Sequence, residues 1–161
     1  MRLPKLESVK SKSLNKATTN GKFRVARARV GLGLFAVDQI ARGTHVIDFR
    51  GKRISTASAD KMRSRNLFAI DAKWTINGSA RTNVARYINH SCRPNCVARR
   101  IDRRIRIFAR RAIKPGEELT YDYGKEYFDA FIGPNGCKCS HCAATNPPRG
   151  REKLQSIRER K

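Results

Sequence analysis

One stretch limits what this chain can fold into more than any other. It runs from Arg86 to Cys96 and reads Arg-Tyr-Ile-Asn-His-Ser-Cys-Arg-Pro-Asn-Cys. Tyr87 and Ile88 begin it as an apolar segment that wants burial. Asn89, His90 and Ser91 then bring donors and acceptors that must be satisfied wherever that burial carries them. Pro94 fixes its own φ and drives Arg93 towards an extended conformation, so the segment turns as it becomes polar. Taken by itself this is also what a polar loop after a short buried segment looks like.

Two further stretches narrow the choice. Gly31-Leu32-Gly33-Leu34-Phe35-Ala36 carries two glycines, which let a backbone take positive φ or come close to a ligand. A dinucleotide-binding reading fails there, because the third glycine and a long βαβ unit are missing. Downstream, Pro115-Gly116 fits a type II turn. It leads into Glu117-Glu118-Leu119-Thr120-Tyr121-Asp122-Tyr123-Gly124.

Together these stretches resemble the signatures of the SET-domain lysine methyltransferases. Asn89-His90-Ser91-Cys92-x-Pro94-Asn95 is similar to the central motif, which threads through a loop of the chain to form a pseudoknot beside the methyl donor. Gly31 to Ala36 resembles the first motif, and Gly116 to Tyr123 the second. Ile40 to Gly43, followed by Val46 to Gly51, matches the family's Ile-x-x-Gly element and the strand after it.

The resemblance implies a mainly β SET fold, with small sheets around a pseudoknot, few short helices and a C-terminal zinc-binding post-SET segment. It implies transfer of a methyl group from S-adenosylmethionine to a lysine ε-amine on a histone or another basic protein. It makes Tyr123 the catalytic tyrosine and Tyr121 its neighbour, which favours monomethylation. Donor contacts fall to the backbone of Gly31, Leu32 and Gly33, and to Asn89, His90 and Tyr123. Many family members carry a tyrosine just before Leu67-Phe68-Ala69-Ile70-Asp71, where this chain has Asn66. Ser55–Arg65 falls where the family carries a substrate-gripping insert, and its shortness implies modest intrinsic selectivity.

Cys137, Cys139 and Cys142 lie close enough in sequence to share a metal, but structural zinc needs a fourth ligand. The resemblance makes that ligand Cys92, with Cys96 and His141 as alternatives. The spacing before the last cysteine is shorter than the family's.

Charge enters as a statement about partners. Thirty-six Lys and Arg against 13 acidic residues give a formal net charge of +23. That implies non-specific, salt-sensitive affinity for polyanions such as nucleic acid. A non-catalytic, zinc-stabilised basic module binding nucleic acid or chromatin is therefore the competing reading. No signal-peptide pattern or apolar run long enough to span a bilayer is visible, so the five cysteines read as thiols or metal ligands and no membrane contact is expected. The setting expected is chromatin in a eukaryote or the cytoplasm in a bacterium.

The expected organisation is a flexible basic tail over 1–22, a SET domain over 23–130, a post-SET segment over 131–146 and a basic tail over 147–161. Within it, Leu67 to Asp71 and Trp74 to Ile76 read as strands. Val97 to Ile113 reads as a hairpin turning at Asp102-Arg103, with one arginine-rich face. Glu117, Glu118, Asp122, Glu126 and Asp129 read as an acidic patch that would attract a lysine-bearing peptide.

Overall fold

A computed structural model describes residues 18–19, 21–62 and 64–145. Most of the expected N-terminal tail and all of the C-terminal one lie outside the described residues. Two residues of the expected N-terminal tail are paired, however: β1 (Thr18–Thr19) lies antiparallel to β2 (Phe23–Ala28). β2 pairs in turn with β3 (Gly31–Ala36), completing the first sheet.

A second sheet is built from β4 (His45–Phe49), and a third begins with β5 (Lys52–Ser55). A single helical turn, α1 (Thr56–Ala59), follows, with the Ser55 hydroxyl accepting from the Ser58 N–H as its cap. β6 (Leu67–Ala69) and β7 (Trp74–Asn77) then join β5 in the order β5-β7-β6. Asp71 Oδ1 accepts from the N–H groups of Lys73 and Trp74, which closes the turn between β6 and β7. The Asn77-Gly78 turn comes after β7, where Asn77 Oδ1 accepts from the Ser79 N–H.

A 3₁₀ turn at Val84–Tyr87 delivers the chain to β8 (Asn89–His90). β9 (Cys96–Ile101) and β10 (Arg104–Ala109) form the expected hairpin, and β10 lies between β4 and β9. Asp102 and Arg103 both have positive φ, 50° and 56°, the signature of a two-residue type I′ turn. Alternation is strict along β10: Ile105, Ile107 and Ala109 are buried, while Arg104 is exposed. At Pro115-Gly116 the Glu117 N–H reaches Lys114 O and Gly116 has φ 79°, as a type II turn requires.

The central feature is the path of residues 116–121. One edge lies along β3: Glu117 O accepts from Ala36 N–H, and Leu119 N–H donates to Leu34 O. On the other edge β11 (Thr120–Tyr121) pairs in parallel with β8, matching Thr120 to Asn89 and Tyr121 to His90. The segment is therefore threaded between the first sheet and the central motif.

Leu34, Ile88, Ile105, Ile107, Ile113 and Leu119 are fully buried around it. Each such side chain contributes about 1.5–3 kcal/mol through burial, so the apolar floor and the threaded strand stabilise one another. Beyond it lie α2 (Lys125–Tyr127), a π-helical segment at Phe128–Ile132, a 3₁₀ turn at Gly133–Asn135 and α3 (Ser140–Thr145). Small sheets with few short helices are the architecture expected of the SET fold.

Candidate functional site

Asn95 locks the central motif in place. It is almost fully buried, so each polar atom must find a partner. Its Nδ2 donates to Glu117 Oε1 at 3.0 Å and Glu118 O at 2.8 Å, and its Oδ1 accepts from the Thr120 N–H at 2.9 Å. Ser91, also buried, donates its N–H to Tyr121 O and accepts from the Arg93 N–H. These bonds hold Asn89 and His90 against Tyr121 and Tyr123.

Asn89 Nδ2 donates to Leu32 O at 3.1 Å and Glu118 Oε1 at 2.7 Å, tying the central motif to the glycine stretch. Its Oδ1 has no partner among the described residues. His90 Nδ1 accepts from the Tyr123 N–H at 3.3 Å, and its Nε2 lies 3.4 Å from Cys92 Sγ. With both ring nitrogens engaged, the imidazole has no free donor to offer a ligand. Its ring packs against Tyr123 and Phe128, each with a ring centroid 5.5 Å away. Burial lowers the pKa of His90 and the nearby Asp122 carboxylate opposes the shift.

The two glycines do different things. Gly31 takes φ 100°, whereas a Cβ on Gly33 would lie 2.6 Å from Glu118 Oε1 and 2.8 Å from Ala28 Cβ. Gly33 is thus fixed by contact with protein. The residue of this region that faces the neighbouring cleft is Val30; Gly31, Leu32 and Gly33 reach its margin through the Leu32 O–Asn89 bond.

Two clefts meet at Tyr123. One, of about 500 Å³, is lined by Val30, Asn89, His90, Lys138 and Cys139. The other, of about 610 Å³, is lined by Phe68, Ala69, Tyr121, Asp60 and Glu126. Tyr123, Tyr127, Phe131, Arg65 and Asn66 line both, so the two clefts lie on either side of a shared wall of these residues.

Tyr123 donates its phenol proton to Ile88 O at 2.7 Å. Burial, then Tyr127 and Glu118, raises its pKa, so the phenol stays neutral and its oxygen remains an acceptor at the junction. Tyr121 is almost fully buried and lies 4.7 Å from Tyr123, centroid to centroid. Its hydroxyl has no hydrogen-bond partner among the described residues and opens onto the larger cleft. Burial, then Tyr123 and Tyr127, raises its pKa as well.

Sequence reasoning missed Tyr127 and Phe131. Tyr127 packs edge-on to Tyr123 at 4.8 Å and donates to Arg65 O, and Phe131 packs on Tyr127. The available signal was three aromatics, Tyr127, Phe128 and Phe131, immediately after the last signature. Their wide turn is π-helical, a distortion often found at functional sites.

The expected acidic patch is largely engaged within the protein. Glu117 binds Arg111 and Asn95, Glu118 binds Asn89, Asp122 caps the Gly124 N–H, and Asp129 pairs with Lys125. Of the five, Glu126 is left lining the larger cleft, where Asp60 joins it. Arg111 and Lys125 counter the charges of Glu117 and Asp129, while Glu118 and Asp122 bond to uncharged donors and keep theirs.

Beside the smaller cleft, the sulfurs of Cys92, Cys137, Cys139 and Cys142 all lie within 4.8 Å of one another. Cys92 Sγ is 3.7 Å from Cys137 Sγ and 3.5 Å from Cys142 Sγ. A tetrahedral ion with Zn–S bonds of about 2.3 Å needs sulfurs about 3.8 Å apart, so the donor set fits zinc in chemistry and span. Burial opposes ionisation at Cys139, but N–H groups of Cys92 and Cys142 outweigh it and draw the pKa down to about 6. At Cys92 burial and the neighbouring thiols all push the pKa up. Four like groups pressed together in this way are relieved by a dication. Cys96 is a core residue whose thiol is raised by burial to about 12, and neither it nor His141 joins the cluster.

Comparison with known proteins agrees with this arrangement. The SET domain family matches residues 31–124. The chain is 35% identical over 134 residues to the histone-lysine N-methyltransferase set-2 of Caenorhabditis elegans, covering 72% of this chain and 9% of that protein. It is 39% identical over 124 residues to the histone-lysine N-methyltransferase trithorax of Drosophila virilis, covering 70% and 3%. A Schizosaccharomyces pombe protein named histone-lysine N-methyltransferase, H3 lysine-4 specific, is 43% identical over 106 residues, covering 57% and 11%. The chain thus spans about a tenth or less of the length of these relatives. The matched stretch runs from the first glycine of the glycine pair to the residue after Tyr123, taking in the threaded segment and both its partners, and the chain belongs to the SET-domain family.

Proposed function

We propose that this chain is a protein-lysine N-methyltransferase that takes its methyl group from S-adenosylmethionine. The supporting observation is the position of Tyr123, at the meeting point of a cleft bearing Asn89 and His90 and a cleft walled by aromatic rings. S-adenosylmethionine supplies an electrophilic methyl on a positive sulfonium. The smaller cleft would hold it, with the free Asn89 Oδ1 accepting from its ammonium and Lys138 near its carboxylate.

Tyr121, Tyr123 and Phe68 would sheathe the lysine side chain arriving through the larger cleft. A lysine amine is protonated in water, with an ordinary pKa of about 10.4. Burial among these rings favours its neutral form. The neutral Tyr123 phenol, its proton committed to Ile88 O, presents lone pairs that align the amine for in-line transfer. Alignment of this kind supplies much of the rate. The unpartnered Tyr121 hydroxyl narrows the cleft and favours a single methylation. Cys92, Cys137, Cys139 and Cys142 would hold zinc and fix the 137–142 segment over the donor cleft.

We further propose a division into a SET domain over 23–130 and a post-SET segment over 131–146. The relatives' names support a histone, or a protein equally basic, as substrate, and hence a chromatin setting in a eukaryote or the cytoplasm in a bacterium. Among the described residues no helix is long and apolar enough to cross a membrane. The test is to incubate zinc-loaded protein with isotopically labelled S-adenosylmethionine and a histone mixture, and to read lysine methylation by mass spectrometry. Labelled lysine is expected. Absence of label, with no donor binding by calorimetry, would favour the non-catalytic basic module.

A further inference from the structure

Next to the larger cleft, and sharing with it the single lining residue Phe49, lies a separate depression of about 500 Å³. Its floor is apolar: Phe49, Ile70 and Ile76. Gly51 belongs to it because the chain there is pressed on β7, where a Cβ would lie 2.1 Å from Asn77 O. Its rim carries four guanidinium groups, Arg50, Arg53, Arg103 and Arg104, brought together from the end of β4, from β5 and from the β9–β10 turn.

All four arginines are exposed. Among the described residues the one carboxylate on the rim, Asp48, is held by His45 Nε2 at 2.7 Å and reaches Arg50 only at 4.0 Å. Among the described residues Arg53, Arg103 and Arg104 meet no carboxylate. Arg53 instead lies over the half-exposed Trp74 ring, 4.8 Å from its centroid. Arg103 occupies a turn position with φ 56°, where glycine or asparagine is the usual occupant. A charged side chain held at a strained position points to a role for that side chain.

We propose that this depression binds the phosphodiester backbone of nucleic acid, holding a nucleic-acid-associated substrate beside the lysine cleft. Guanidinium forks grip phosphate oxygens two at a time, and arginines in number without counter-charges on the protein are a phosphate-binding rim. The apolar floor accepts the sugar edges of the backbone, and Trp74, outside the depression, holds the Arg53 guanidinium at its rim. Among the described residues the depression is lined by strands and turns, and the contacts proposed are to the phosphodiester backbone. Guanidinium forks match carboxylates as well as phosphates, so an acidic protein segment is the competing occupant that the experiment must separate from nucleic acid.

The experiment measures binding of a fluorescein-labelled DNA duplex to the zinc-loaded chain by anisotropy over a NaCl series. In one variant Arg50, Arg53, Arg103 and Arg104 are changed to Ala. In a charge-matched control Arg27, Arg42, Arg81 and Arg110, which are exposed and line none of these clefts, are changed to Ala. The rim variant should bind at least about 10-fold more weakly, with the log–log salt slope reduced by about 3–4, since each lost phosphate contact removes about 0.9. The control should stay within about 3-fold of the unaltered chain.

Equal weakening in both variants would overturn the site and leave only diffuse charge. So would displacement of the duplex by polyglutamate as readily as by unlabelled DNA. Arg103→Gly alone, which relieves the turn rather than disturbing it, should also weaken binding without lowering Tm; unchanged binding counts against the proposal. These readouts need no turnover, so failure here and failure of the methyltransferase reading are separately visible.

Discussion

At Tyr123 the proposed methyl transfer rests on a single hydroxyl. Its proton goes to Ile88 O and its oxygen faces the junction of the two clefts. Tyr123→Phe keeps the ring packed against Tyr121, Tyr127 and His90 but removes the acceptor. Loss of one such preorganised contact costs about 10²–10³ in kcat. Calorimetry on the same variant should show S-adenosylmethionine affinity within about 3-fold of the unaltered chain, because Asn89 and Lys138 are untouched. Tyr121→Phe is the complementary change. Removing the hydroxyl that opens on the larger cleft should leave turnover in place and shift the products, read by mass spectrometry, from one methyl towards two or three. Both tyrosines were readable in the sequence, because the signature around them is nearly complete. Tyr127 and Phe131 were not, because their approach depends on the pitch of a π turn that no local pattern dictates.

Among the elements, the threaded segment and the β9–β10 hairpin each carry a measurable consequence. Glu117 anchors the threaded segment. Burial pushes its pKa up, but Arg111, the Lys114 N–H and Asn95 outweigh it and bring it down to about 2. A carboxylate lowered on folding stabilises the native state above its ordinary value of about 4.3, and that contribution is lost as pH falls towards the folded value. Chemical denaturation across pH 5 to about 2 should therefore show falling stability, with a shallower fall in Glu117→Gln. In the hairpin, Arg103→Gly should raise stability by up to about 1 kcal/mol, as relief of left-handed backbone strain exceeds the added chain entropy; urea melts measure it.

The hairpin and its turn could be read from alternation and from Asp102-Arg103, and the type II turn from Pro115-Gly116. The parallel pairing of β8 with β11 could not, since it joins two-residue strands far apart in sequence; the resemblance implied a pseudoknot there but not this pairing. Which charges of the acidic patch are countered within the protein was hidden for a related reason. Composition shows five carboxylates near one another but not the Arg111, Asn89 and Lys125 groups that engage them.

On the scale of the whole molecule, the thiol cluster joins the 137–142 segment to the central motif through Cys92, while the apolar core lies elsewhere, around Leu34, Ile107 and Leu119. Metal removal should therefore affect the site and leave the core standing. With a strong chelator, about one equivalent of zinc should be released, methyl transfer should fall to background, and far-UV circular dichroism should change little. Cys92→Ser should reproduce the loss of metal, whereas Cys96→Ala should keep it. The sequence left Cys92, Cys96 and His141 all open as the fourth ligand; the fold separates them by packing Cys96 into the core and leaving His141 outside the cluster.

The threading of residues 116–121 has a consequence for synthesis. A ribosome emits Asn89 and His90 well before Thr120 and Tyr121, so the growing polypeptide has a half-built cavity with nothing to close it. Neither ligand site can exist until Tyr123 clears the exit tunnel and slips beneath the waiting motif. Truncations that stop short of that residue should therefore bind no S-adenosylmethionine, however well their first sheet forms.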